Sequence, residues 1–149
     1  MSPQFFIALI IGLAASAEDL WRRNISNWIS LSALVAGFLW QAFERGWWGL
    51  PTAAGGAAAG FAVFLVFYLL GGMGGGDIKL MAGFGALLGA SKLLEAAIFT
   101  AVLGAVLAIA VLATHAVRRA VGNKGLGTPR AIPYAPAIAA GVWLSLVPR

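Results

Sequence analysis

Cysteine is absent from the 149 residues, which excludes disulfides, thiolate metal sites and cysteine nucleophiles together. Histidine occurs once, at His115, without a companion at metal-ligand spacing, so neither a metal site nor a cofactor is expected. Charge is scarce as well: 10% of residues are charged and 61% hydrophobic, with a mean hydropathy of +0.91. This excludes an ordinary soluble domain. The net charge of +5 comes from short basic clusters beside apolar segments, not interleaved with aromatics, and no nucleic-acid partner is expected.

What is present reads as membrane. The stretches between Trp47 and Asp77 and from Ala96 to Thr114 carry no charge and have the length, about 20 residues, that crossing a bilayer core requires. Candidate spans cover 3–17, 25–43, 52–70, 78–90, 93–117 and 131–147. The expectation is an all-α, polytopic membrane protein with six transmembrane helices forming a single domain over residues 1–149. The first apolar run has no basic leading region and no small-residue cleavage site, and is expected to be a retained span.

Charge placement orients the spans. With the N-terminus outside, Arg22, Arg23, Lys79, Arg118, Arg119, Lys124 and Arg130 lie inside, and Arg45, Lys92 and Arg149 outside. This obeys the positive-inside rule. The fourth span is short and glycine-rich, but dropping it would destroy the asymmetry. On either count two spans separate Asp19 from Asp77, so both face the same side.

Small residues are expected to bring helices close, because lipid offers no hydrophobic drive between them. Gly56-xxx-Gly60 and Gly85-xxx-Gly89 are read as packing pairs within the bundle, and the oligomeric state stays open. Trp21, Trp28, Trp40, Trp47, Trp48 and Trp143 lie mostly near span ends, where indole rings favour the headgroup level of membrane lipids.

Two of the five carboxylates carry the functional signal, because acidic groups at membrane depth are costly and read by default as functional partners. Asp19 ends the first span. Asp77 follows Gly74, Gly75 and Gly76, which lack the Gly-Lys-Ser/Thr ending of a phosphate loop. These glycines are expected to form a loop without Cβ atoms, along which an extended peptide can approach Asp77. Glu18 is expected to be a solvated or headgroup-facing carboxylate, and Lys79 either a neighbour of the Asp77 charge or a snorkelling cation. No serine is singled out as a partner for Lys79.

Paired aspartates suit amide hydrolysis because two close carboxylates share one proton. The ionised member takes a proton from the attacking water, and the protonated member donates to the developing oxyanion. The alternative from another class is a small transporter or assembly subunit binding a proton or cation at the same groups. That would place them near the midplane in repeated halves, and no repeat is evident.

Asp19-Leu20-Trp21-Arg22-Arg23-Asn24-Ile25-Ser26-Asn27, then Gly74-Gly75-Gly76-Asp77-Ile78-Lys79-Leu80, then Pro133-Tyr134-Ala135-Pro136 resemble, in order, three motifs of the type IV prepilin peptidases. These are membrane aspartic proteases of the GxGD class. The resemblance implies that Asp19 and Asp77 are catalytic, facing the cytoplasm in the cell inner membrane, with Gly74, Gly75, Gly76 and Asn27 shaping the site or binding substrate. It implies prepilins or pseudopilins as substrates, cut after a basic leader. One departure is visible, Ser26 where the family has proline, which puts the rigidity of that turn in question. Without cysteine or an extra cytoplasmic domain, the chain is similar to the short form of Tad, Flp or archaeal systems, and methyltransferase activity is not expected.

Overall fold

The computed structural model describes residues 2–120 and 132–147. All regular structure among them is helical. Helix α1 spans Pro3–Arg22, with proline at its first turn, where the missing N–H has no helical partner to lose. Helix α2 spans Asn27–Arg45 and α3 spans Gly49–Leu69, joined by a short 3₁₀ turn over Gly46–Trp48. Gly46 takes φ +60°, ψ −146° in that turn, a conformation that only glycine holds without strain. Helix α4 spans Gly75–Ala120 and α5 spans Ala135–Leu146.

The first arm of α4 is the centre of the bundle. Leu80, Met81, Phe84 and Leu87 are fully buried, and Ile138 and Val142 of α5 join them in the core. Helix α3 lies so close to this arm that side chains are excluded: a methyl on Gly60 would sit 2.6 Å from the Met81 carbonyl oxygen, and one on Gly56 would collide with the carbonyl of Gly85. These glycines therefore pack helix on helix within the chain, as lipid-embedded helices do when small residues let backbones meet.

Gly89 packs against α3 as expected, since a Cβ on it would sit 3.0 Å from the Thr52 Cγ2, but it also does something the sequence did not announce. At φ +73°, ψ +166° it is not helical and breaks α4 into two arms. At such a break, carbonyls of the preceding turn lose their helical donors. Two buried glutamines respond: Gln4 of α1 and Gln41 of α2 both donate to the Leu87 carbonyl, at 2.8 and 3.0 Å. Irregular backbone at membrane depth is tolerated where protein covers it and satisfies it.

The outer surface is apolar. Ile10, Leu39, Val66, Ile98 and Ile109 are all exposed, the inverse of a soluble protein and the pattern of a lipid-facing bundle. Among the described residues three helical stretches are long and apolar enough to cross a membrane: Pro3–Arg22, Asn27–Leu69 and Gly75–Val117. The second is divided by the turn at Gly46–Trp48 and the third by Gly89. Helix α5 has 12 residues, shorter than the expected span 131–147, because the chain becomes helical only after Pro133 and Tyr134. Lys124, Arg130 and Arg149, which enter the charge asymmetry, lie outside the described residues.

The tryptophans divide into two groups. Trp21, Trp28, Trp47 and Trp48 are exposed at helix ends, as interfacial rings are. Trp143 does something else: its indole N–H donates to the Ala8 carbonyl at 3.0 Å and ties α5 to α1. Trp40 packs half-buried against the core.

Candidate active site

Asp19 occupies the last turn of α1, and Asp77 the first turn of α4; both are buried, each 6% exposed. Four elements meet around them: the end of α1, the turn into α2, the start of α4 and the start of α5. The structure places both aspartates at one end of the bundle, where the turn that follows Asp19 packs on Gly76, the residue before Asp77.

Each carboxylate is fixed by the start of a helix. The Asp77 Oδ2 accepts the Gly74 N–H at 3.0 Å, while the Asp77 N–H donates to the Gly74 carbonyl at 3.2 Å. This is the returning half of a capping box, with Gly74 at the cap position and Asp77 three residues on. Asp19 reaches across the bundle, and its Oδ2 accepts the Ala135 N–H, first in α5, at 3.1 Å. Pro136 follows directly. The converging N-termini of α4 and α5 give the pair backbone donors and the positive ends of two helix dipoles.

The chain leaves Asp19 through strained backbone. Arg23 caps α1 in the left-handed region, φ 53° and ψ 32°, its N–H donating to the Asp19 carbonyl at 2.8 Å. For a residue with a Cβ this conformation costs about 1–2 kcal/mol. The Arg23 guanidinium also lies within electrostatic reach of the Asp19 carboxylate.

The expected glycine loop is corrected by the structure. Gly75 and Gly76 are already helical, in the first turn of α4, and of the neighbouring glycines only Gly71 has a positive φ, +74°. Gly76 is needed for space: a Cβ there would sit 3.0 Å from the Ile25 Cβ and 3.3 Å from the Ile25 nitrogen. The turn between α1 and α2 therefore rests on the start of α4. A second tie runs beside it, Lys79 Nζ donating to Asn27 Oδ1 at 2.8 Å. This joins the start of α2 to α4 and gives Lys79 a partner other than Asp77.

Glu18 is corrected too. It is not a solvated carboxylate: its Oε2 accepts the Ser26 N–H at 2.8 Å, and its side chain is 18% exposed. Sequence reasoning also missed the Ala135 N–H, although the Pro133-Tyr134-Ala135-Pro136 segment was visible. A backbone donor leaves no side-chain signature.

An apolar cavity of about 410 Å³ lies between α3, the second arm of α4 and Tyr134, and neither aspartate lines it. Gly72 and Met73, on the approach to Asp77, line it, as does Tyr134, next to Ala135; Phe67, Leu94 and Ile98 form its walls.

The model of the type IV leader peptidase family matches residues 6–109, more than two-thirds of the chain, and includes both aspartates. A prepilin leader peptidase/N-methyltransferase of Bacillus subtilis (strain 168) is 42% identical over 88 residues, covering 58% of this chain and 32% of that protein. The chain thus matches about a third of the length of this curated relative. No solved structure matches it. With the family match covering more than two-thirds of its length, the chain belongs to the type IV leader peptidase family.

Proposed function

We propose that this chain is an aspartic endopeptidase that removes the basic leader from type IV prepilins or pseudopilins, with Asp19 and Asp77 as its catalytic pair. In this reading it forms one domain over residues 1–149, crosses the cell inner membrane six times and holds the pair at the cytoplasmic boundary. The observation that carries the reading is the joint placement of Asp19 and Asp77, each buried and each held by the first free N–H groups of a different helix.

The chemistry follows from that placement. Two adjoining carboxylates in a protected site hold one proton between them. A water bound at the pair gives a proton to the ionised member as its oxygen attacks the peptide carbonyl carbon. The protonated member gives its proton to the carbonyl oxygen, forming a neutral tetrahedral intermediate. The intermediate then collapses: the member that took the water proton gives it to the departing nitrogen as the C–N bond breaks, the other member takes the proton of one hydroxyl as the carboxyl carbonyl forms, and the pair regains its starting arrangement.

Substrate geometry supports the same reading. A prepilin carries its cleavage point between a basic leader and an apolar helix, so the apolar part must enter lipid as the bond reaches the pair. The cavity walled by Phe67, Leu94, Ile98 and Tyr134, with Met73 on the segment that leads to Asp77, offers an apolar seat for that helix. Methyl transfer is not part of the proposal. The transporter alternative gains no support from the helix-end positions of Asp19 and Asp77.

The test is coexpression of the chain with a prepilin, followed by mass determination of the processed pilin. Wild type is expected to release the leader and leave an unmethylated new N-terminus, and D19N and D77N to leave it attached while accumulating in the membrane. A leader still attached in wild type, or removed by D19N or D77N, contradicts the reading.

A further inference from the structure

Glu18 has no part in the chemistry above, yet it is tied into the structure. Its Oε2 accepts the backbone N–H of Ser26, eight residues on across the turn between α1 and α2. The residues on either side of Ser26 are the ones that reach α4: Ile25 lies on Gly76, and Asn27 accepts from Lys79. Glu18 itself adjoins Asp19. One hydrogen bond therefore joins the helix end that carries Asp19 to the turn that rests against the helix start carrying Asp77.

The Ser26 backbone supplies a second observation. Its φ of −68° and ψ of 147° fall where a pyrrolidine ring would hold them. Proline fits this position without rearrangement, but has no N–H to give to Glu18. Serine has the N–H and lacks the ring. The Arg22–Glu18 ion pair, at 4.0 Å with the Arg22 side chain 78% exposed, adds little.

We propose that Glu18 is a positioning residue for the Asp19/Asp77 pair: by holding the Ser26 N–H it fixes the turn between α1 and α2 in the shape that a ring at position 26 would otherwise impose. The inference rests on the peptidase reading, because it assigns Glu18 a task in aligning that pair.

The test combines leader cleavage by purified E18A, E18Q, S26P and the double variant E18A/S26P with hydrogen exchange at the Ser26 amide. E18A is expected to cleave about tenfold more slowly, the loss falling on kcat more than KM, and its Ser26 amide to exchange faster than in wild type. E18Q keeps an acceptor oxygen and retains most activity. S26P is active, and E18A/S26P recovers the S26P rate, because the ring makes Glu18 dispensable. Wild-type cleavage by E18A, an E18Q as impaired as E18A, or a double variant no better than E18A would each overturn the proposal. If E18A does not accumulate, restored accumulation of E18A/S26P supports the proposal and continued loss overturns it. Failure of the peptidase reading has a different signature: D19N and D77N would still cleave, while Ser26 amide protection would continue to depend on Glu18.

Discussion

Ile25 lies against Gly76 so closely that a methyl group on residue 76 would sit 3.0 Å from the isoleucine Cβ. Asp77 is the next residue, so anything that lifts Ile25 away from Gly76 also moves a carboxylate of the pair. Gly76→Ala is therefore expected to displace the α1–α2 turn by a few tenths of an ångström and to lower kcat about tenfold, since misplacing catalytic groups by about 1 Å costs about a hundredfold. Cleavage kinetics on purified protein check this. Trimming the partner in the same background, as Ile25→Ala with Gly76→Ala, is expected to recover part of the rate.

The proposed mechanism, in which the pair shares one proton, predicts the pH dependence. Below the first macroscopic titration of the pair both carboxylates are protonated and no base remains; above the second both are ionised and no acid remains. Cleavage is expected to give a bell-shaped profile in kcat. A rate that climbs without falling through alkaline pH would point to a single base instead of a pair.

The clamp on Leu87 predicts non-additivity. Gln4 and Gln41 donate to one carbonyl, so Q4A or Q41A alone leaves that oxygen with a partner and costs about 1 kcal/mol. With both removed the buried carbonyl has no side-chain donor, and the double variant is expected to lose more than the two singles together, by about 1 kcal/mol or more. Reversible unfolding in a lipid or detergent medium measures the difference.

Helix contact predicts a purely structural loss. A methyl at Gly85 would collide with the carbonyl of Gly56, so Gly85→Ala is expected to force α3 from α4 and destabilise the bundle by about 1–3 kcal/mol. Gly55, which faces open space, is the control: Gly55→Ala is expected to leave stability unchanged within about 0.5 kcal/mol. Thermal unfolding of the three proteins separates them.

Much of this molecule was readable in advance, and the exceptions share a cause. Hydropathy and charge marked the apolar segments, because lipid imposes a length and a composition on whatever crosses it. Parity of the spans put Asp19 and Asp77 at the same end of the bundle, where the structure has them. What composition could not show was the work done by main-chain groups. The Ala135 N–H on Asp19, the Gly74 N–H on Asp77 and the Leu87 carbonyl under two glutamines are contacts to backbone, which every residue carries alike. Gly89 shows the same difficulty from the other side. In sequence it makes a packing pair with Gly85, and it does pack on α3, while its positive φ also ends one helical arm and starts another. Glycine serves both uses, and only the neighbours decide between them.

The central claim is that Asp19 and Asp77 act as one catalytic unit. Single-turnover cleavage of a prepilin by D19N, D77N and the double variant D19N/D77N tests it most directly, because residues that act as a unit lose their function together. All three are predicted to fall by at least about a hundredfold and to the same residual rate, with the second substitution adding no further loss. Near wild-type cleavage by either single variant, or losses that multiply in the double, would contradict the account.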